Sequence, residues 1–339
     1  MYDLKSDVHT ASGTVMGGPW QIRHVPVRGV SADAVAAAAL DALRLVDDQM
    51  SNYRSDSDLM RLNAAPIGEF IPVTAEMIEV MVCADRLARL SDGALNIALG
   101  RAVNRWGFGP DPVPMEQPAD GISAEDAARA ALGSFALRSN PPAVFKLADI
   151  GFDLCAIAKG YAVDLAARAV KSLGVTDFLI EAAGEIYASG QQAPDRQWMV
   201  GLELPVPSQE RLIFDEISLN GMAVATSGGY CNRRQISGKS VSHTIDPATG
   251  APLESALLSV TVMHKQCMDA DALATVLYVL GPERGPKFAA ENNIAALFLI
   301  REAEGLKEIR SEAFVAATQR RDAFFATKAR QNNADLLLR

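Results

Sequence analysis

Residues 148–190 read ADIGFDLCAIAKGYAVDLAARAVKSLGVTDFLIEAAGEIYASG, and the rest of the chain is interpreted around them. A short apolar segment leads to Asp153. From about Ala156 to Leu173 the pattern predicts a helix: Leu154, Ile157, Tyr161, Leu165 and Val170 fall mostly three or four apart and give one apolar face. Gly174 stands where a helix stop is expected. Phe178, Leu179 and Ile180 read as a buried strand, closed by the small run Ala182-Ala183-Gly184. This unit sets Asp153 and Lys159 near a helix start. Unpaired backbone N–H groups there favour anions such as phosphate, and Lys159 adds a mobile positive charge. An ordinary buried helix with a surface lysine fits the same letters.

The 339 residues suffice for one large domain or two intimate halves. With 49% apolar and 22% charged residues, the composition is that of a globular protein. No run of eighteen apolar residues occurs, so no membrane span is expected. The N-terminus lacks a basic-then-apolar leader and a lipid-acceptor cysteine; as written the chain reads as cytoplasmic, or as a periplasmic lipoprotein if a leader has been trimmed. A net charge of −9 argues against a nucleic-acid surface. It also means that a phosphate ester needs a cation, a helix start or a local lysine to bind. Cys83, Cys155, Cys231 and Cys267 are scattered without a CxxC pair and read as buried free thiols.

Moving outward, residues 14–27 read as a first strand with a Gly-Gly-Pro break near its start. Ser31 caps a helix to about residue 48 and Thr74 a second to about Leu90. Residues 50–63 read as a polar, turn-rich segment, 93–109 end in a glycine-aromatic knot, and 110–122 form a proline-rich loop before a short helix from Ser123. Strands are expected at 198–204, 212–219, 224–230, 257–264 and 294–300, with helices over 270–280 and near 283–291. Strands and helices mix without strict alternation, which favours α+β with largely antiparallel sheet. Residues 1–310 form one domain on this reading, and 311–339 a tail that is helical or mobile.

Several site signatures are absent: GxGxxG after a strand, GxxxxGK[ST], HExxH and GxSxG. The helix over 270–280 is more informative. Asp271 and Thr275 lie four apart on one face, a carboxylate and a hydroxyl suited to Mg²⁺ beside backbone carbonyls and ligand phosphates. Asp269 or Asp271 acting as a plain helix cap is the alternative. His243, beside Asp246 in a strand-to-turn corner, is a candidate general base or a structural histidine. Thr226-Ser227-Gly228-Gly229 is a small-residue turn near which a ligand can approach the backbone.

Together these pieces resemble the ApbE family, the FAD:protein FMN transferases. The resemblance runs from Met16-Gly17 through Ser51–Asn63, Gly93–Asn96, Trp106–Gly109, Asp153-Leu154, Ala158–Asp164, Ala183–Glu185, Thr226–Gly228, His243–Pro247 and Gly250 to Ala270-Asp271 with Thr275. It implies an α+β fold of two tunnelling-fold-like halves with a flavin cleft between them. It implies Mg²⁺-dependent transfer of FMN from FAD to a threonine or serine of an acceptor flavoprotein, releasing AMP. By position, Asp271, Thr275 and the Ala156 carbonyl would hold the metal. Met16, Tyr53, Ala94, Leu95, Asn96, Asp153, Lys159 and Ile245 would contact FAD, and His243 would deprotonate the acceptor hydroxyl. A Mg²⁺-dependent FAD pyrophosphatase and a non-catalytic FAD-binding protein are the alternatives. The sequence departs from the family pattern at Cys155-Ala156, Ala183-Gly184-Glu185, Asn96 and Ala274.

Overall fold

The computed structural model describes residues 8–110, 132–205, 212–229, 232–236, 238–303 and 305–318. Its centre is an eight-stranded sheet. In spatial order the strands are β1 (His9–Val15), β2 (Gly18–His24), β6 (Phe178–Ala182), β7 (Glu185–Ser189), β11 (Met222–Gly228), β14 (Leu257–His264), β15 (Ala295–Glu302) and β16 (Gly305–Arg310). Every neighbouring pair is antiparallel. The sheet consists of two similar runs. In the first, β1 and β2 lead through helices α1 (Ala32–Met50) and α5 (Ala158–Ser172) to β6 and β7. In the second, β11 and β14 lead through α6 (Cys267–Glu291) to β15 and β16. Helix α6 is two helices merged across a kink, because Gly281 has φ 77° and ψ −173°. Each run is therefore strand–strand–helix–helix–strand–strand, and the two join where β7 pairs with β11. The α+β, two-half expectation holds.

Alternation along the strands explains how the sheet is covered on both faces. Ile180, Ala223, Ala225, Val262, Ala296 and Phe298 face the helical layer of α1, α5 and α6. Leu179, Val224, Met263, Leu297 and Leu299 face the other way, toward Trp198 and Leu219. That second face is covered by a three-stranded sheet of β8 (Gln191–Ala193), β9 (Arg196–Glu203) and β10 (Ile213–Leu219), with Phe314 of α7 (Glu312–Thr318). Burying each such aliphatic side chain contributes about 1.5–3 kcal/mol, so the two-sided sheet is the main store of stability. The segment expected as tail thus begins with a helix that plugs the core through Phe314. The remaining elements are helices α2 (Asp58–Ala64), α3 (Ala75–Leu90) and α4 (Gly100–Arg105), a small sheet of β3 (Phe70–Pro72), β4 (Phe135–Ser139) and β5 (Pro142–Lys146), and the hairpin β12 (Arg233–Ile236) and β13 (Lys239–Ser242).

Several boundaries differ from the sequence expectation. Residues 14–27 are not one strand: Met16-Gly17 is a two-residue turn that joins β1 to β2. The polar segment 50–63 contains α2, because the Ser57 hydroxyl accepts the Met60 N–H and caps it. The helix expected over 270–280 starts three residues earlier, at Cys267. Cys155 is exposed, whereas Cys83 and Cys267 are buried as expected. The expected helix after Ser123, most of the 110–122 loop and Cys231 lie outside the described residues.

Two hairpin turns meet beside the helical layer. Met16 (φ 51°) and Gly17 form one, Ala183 (φ 52°) and Gly184 the other. Both are two-residue connections with left-handed backbone, the geometry that suits the twist of paired strands. The methyl of Ala183 fits because its neighbour is Gly18: a Cβ on Gly18 would lie 2.9 Å from the Ala183 Cβ. Gly18→Ala is expected to cost about 1–3 kcal/mol in urea unfolding. In an Ala183→Gly background the same change should cost measurably less, with a coupling of at least about 0.5 kcal/mol. Strictly additive losses would show that the two turns do not press on each other.

Candidate functional site

The site forms where the first turns of α5 and α6, one from each half, face each other. Gly160 lets them approach: a Cβ there would lie 2.3 Å from the Cys267 carbonyl oxygen. Neither helix has a side-chain cap from its own N-cap residue, Ile157 or Gln266. Each is capped by the other instead. Asp164 of α5 accepts the N–H groups of Cys267 (2.8 Å) and Met268 (2.9 Å). Asp271 of α6 accepts the Gly160 N–H at 3.0 Å. The expectation that Asp269 or Asp271 caps its own helix is corrected. Asp269 pairs with Arg86 of α3, and the α6 cap is Asp164.

Around this contact lies a dense charge cluster. Lys159 Nζ donates to Glu185 Oε1 at 2.6 Å and lies 3.4 Å from both Asp271 oxygens. Burial opposes the Lys159 charge, but Asp271 and Glu185 together drive its pKa well up, so it stays an ammonium. Burial raises the Glu185 carboxyl pKa, against the pull of Lys159. Glu185 Oε2 and Asn52 Oδ1 are buried with no hydrogen-bond partner among the described residues. Bare buried acceptors are costly, which suits a site that receives a polar ligand.

The donor set fits Mg²⁺. Because Gly160 N–H turns to Asp271, the Ala156 carbonyl loses its helical donor, and the first bond of α5 runs from Tyr161 N–H to Ile157. Thr275, one turn along α6, has its hydroxyl 3.1 Å from Ser227 Oγ of β11. A carboxylate, a hydroxyl and a freed carbonyl are hard oxygen donors, and Mg²⁺ commonly completes such sets with water and phosphate. Among the described residues no three His, Cys, Asp or Glu side chains cluster as a self-sufficient metal cage. A cation here would therefore lean on ligand oxygens.

The other candidates are tied to their neighbours by local contacts. The 94–97 segment runs beside 151–153, with Asp153 N–H donating to the Ile97 carbonyl at 2.8 Å; Ala94 and Leu95 are buried, and Asn96 Oδ1 accepts the Ala98 N–H. Asp153 Oδ1 accepts the Cys155 N–H at 2.7 Å, and Asn52 Nδ2 lies 3.7 Å from Cys155 Sγ. Cys155 is exposed by area, yet burial leads the causes that raise its thiol pKa. Tyr53 is 62% exposed and donates its hydroxyl to the Phe108 carbonyl at 2.6 Å. The Phe108 ring lies 6.3 Å from the His243 ring. Trp106 Nε1 donates to the Gly250 carbonyl at 2.8 Å, and Ile245 packs with Leu99, Trp106 and Phe108. The glycine-aromatic knot and the 243–250 corner are thus one structure.

His243 Nδ1 lies 3.2 Å from the Asn232 carbonyl. Burial lowers the His243 pKa, and the Lys159 charge lowers it further against the opposing effect of the Asn232 carbonyl. It is a neutral imidazole near pH 7 and can accept a proton. Lys159 is also felt at Asp153, so one ammonium links the carboxylate, metal-donor and histidine sides. Met16 sits in the β1–β2 turn, and Gly18, which follows that turn, lies against Ala183. The sequence alone assigns no role to Asp164 or Asn52, and places Ser227 only in a small-residue segment that a ligand can approach. Asp164 carries a visible signal: it follows Gly160 by four residues as Asp271 follows Cys267.

Known proteins share this arrangement of sequence and fold. The sequence model of the ApbE family matches residues 16–298. A Vibrio cholerae serotype O1 protein named FAD:protein FMN transferase is 37% identical over 305 residues, which cover 89% of this chain and 90% of that protein. The Haemophilus influenzae protein of the same name is 32% identical over 94% of each chain. The apo crystal structure of Pseudomonas stutzeri flavinyl transferase ApbE superimposes with a TM-score of 0.82 at 34% identity, over 94% of this chain and 99% of that one. The matched region takes in both halves of the sheet and both capped helices, and on that extent of likeness this chain belongs to the ApbE family.

Proposed function

We propose that this protein transfers FMN from FAD to a threonine or serine hydroxyl of an acceptor flavoprotein, releasing AMP. The observation that carries the reading is the meeting of Lys159 and Asp271 at facing helix starts, with Asp271 also holding the Gly160 N–H. Family membership and the names of its relatives support the flavin chemistry. Asp271, Thr275 and the Ala156 carbonyl would hold Mg²⁺, which when bound neutralises diphosphate charge and polarises phosphoryl oxygens. Lys159 adds positive charge beside the same diphosphate. Met16, Tyr53, Ala94, Leu95, Asn96, Asp153 and Ile245 would contact FAD. Asn96 supplies a hydrogen-bonding amide where relatives resembling this chain have a carboxylate.

In the reaction the acceptor oxygen forms a bond to the FMN phosphorus of FAD. The phosphoanhydride bond to AMP breaks, AMP leaves with the bridging oxygen, and the hydroxyl proton passes to His243. Little covalent help is needed from the protein; positioning and charge neutralisation do most of the work. A neutral imidazole is the correct form for this step.

Asp271→Asn keeps an acceptor for the Gly160 N–H but loses the anionic ligand. It should lower kcat/KM roughly a hundredfold or more, about 2.7 kcal/mol of transition-state stabilisation, and also lower the melting temperature because Lys159 loses an anionic partner, so FAD binding by the folded variant is measured beside turnover. The assay is covalent flavin fluorescence on an acceptor domain after denaturation, with AMP release read in parallel. Full Mg²⁺-dependent turnover in this variant would remove Asp271 from the metal site. AMP release with no labelled acceptor would instead point to hydrolysis.

The pH profile tests His243 separately. The base must be deprotonated, and its pKa lies below the ordinary 6.5, so the acidic limb of kcat/KM should fall below that pH. His243→Ala should abolish transfer with FAD binding kept. An acidic limb above pH 6.5, or one that survives in His243→Ala, contradicts the base role.

A further inference from the structure

The two facing helices are related by a repeated pattern. On α5, Gly160 presents an N–H and Asp164 follows four residues later; on α6, Cys267 presents an N–H and Asp271 follows four residues later. Each aspartate reaches across to the other helix's first turn. The repeat is not symmetric in its use of oxygen atoms. Asp164 commits both, Oδ1 to Cys267 and Oδ2 to Met268. Asp271 gives only Oδ2 to an amide, and Oδ1 faces Lys159 at 3.4 Å.

From this asymmetry we infer that Asp164 is a positioning residue for the cation and diphosphate site: it fixes the register of α6 against α5, so that Asp271 can keep an oxygen for the ligand. This rests on the cation reading above and extends it to a residue that touches neither metal nor substrate. Four physical points carry it. The first N–H groups of α6 have no cap from Gln266, so Asp164 supplies what holds that end. The contact leaves no room to drift, since the Gly160 position lies against the Cys267 and Met268 backbone. Asp271 and Thr275 are one and two turns along the same helix from the anchored amides, about 6 and 12 Å of rise, so a shift at Cys267 is carried rigidly to both. Lastly, a two-oxygen clamp on adjacent amides resists rotation about the helix axis, which a single hydrogen bond would allow.

The test is a Mn²⁺ titration of the full chain with FAD and no acceptor, read by the loss of the free-ion electron paramagnetic resonance signal, beside thermal melts. Asp164→Ala should weaken Mn²⁺ binding by about tenfold, the scale of losing a group that orients a metal ligand. Transfer activity lost at low Mg²⁺ should return at saturating Mg²⁺. Asp164→Asn, which keeps one acceptor oxygen, should fall between. Val163→Ala, a buried core change on the same helix, serves as the control: it should lower the melting temperature while leaving the Mn²⁺ midpoint where it was. If Asp164→Ala lowers the melting temperature but binds Mn²⁺ as the unaltered chain does, Asp164 is an ordinary cap and the inference is overturned. If the unaltered chain binds no Mn²⁺ at all, the cation reading itself fails, and this inference with it.

Discussion

Two helix starts cannot be pressed together bare. Each brings several unpaired N–H groups and the positive end of a helix dipole, so a naked contact would be repulsive and unsatisfied. In this protein the exchange of Asp164 and Asp271 between α5 and α6 removes that obstacle. The consequences run outward in both directions. Inward, the contact ties the helical layers of the two halves into one and presses them on the sheet. Outward, it leaves a small region where two dipole ends and Lys159 meet Asp164, Asp271 and Glu185. At about half a positive charge per helix start, that sets roughly two positive charges against three carboxylates, so a diphosphate is better received there together with a cation than alone.

The sheet supplies the rigidity that this arrangement requires. Both faces are covered, so a slip of one residue in any central strand would exchange its helical-layer and small-sheet side chains. That locks β7 to β11, although only three residue pairs join them. The candidate site residues come from strand ends and segments held in this way. Ser227 comes from the end of β11, Glu185 from the start of β7, and Asp153 from a segment bound to Ile97. Catalytic geometry is therefore set by elements with few alternatives, and mobile side chains such as Lys159 are held by the charges they face.

Much of this was legible in the letters, for identifiable reasons. The helix from Ala158 and the strands at Phe178 and Leu257 carry strong periodicity that packing reinforces. The β1–β2 hairpin was read as one strand because its turn begins with Met16, which is not a residue that announces left-handed backbone. Helix α2 is hard to see in the letters because seven residues span barely two turns and give too little period, and its capping serine looks like any turn serine. In the site, Asp271 and Thr275 stood out because both lie on one helix. The cap of that helix did not, since its carboxylate comes from 103 residues away in sequence. Local rules assign a helix-start aspartate to its own helix; only the fold shows that it belongs to the neighbour.

The same logic explains how a chain with net charge −9 can offer a diphosphate a place to bind. Long-range charge is screened within about 8–10 Å at physiological salt, so the overall excess matters little at the site. What matters is the local set, and there each carboxylate is already engaged by an amide or by Lys159. Engaged carboxylates do not present a bare negative wall. Glu185 is the exception in part, since one of its oxygens has no partner among the described residues. Its other oxygen accepts from the Lys159 ammonium at 2.6 Å, so the lysine cannot leave for solvent without stranding a buried anion. Glu185 thus holds Lys159 at the helix starts, where a phosphate can reach it, and the acidic residue that looks out of place next to a phosphate site is what keeps the positive charge there.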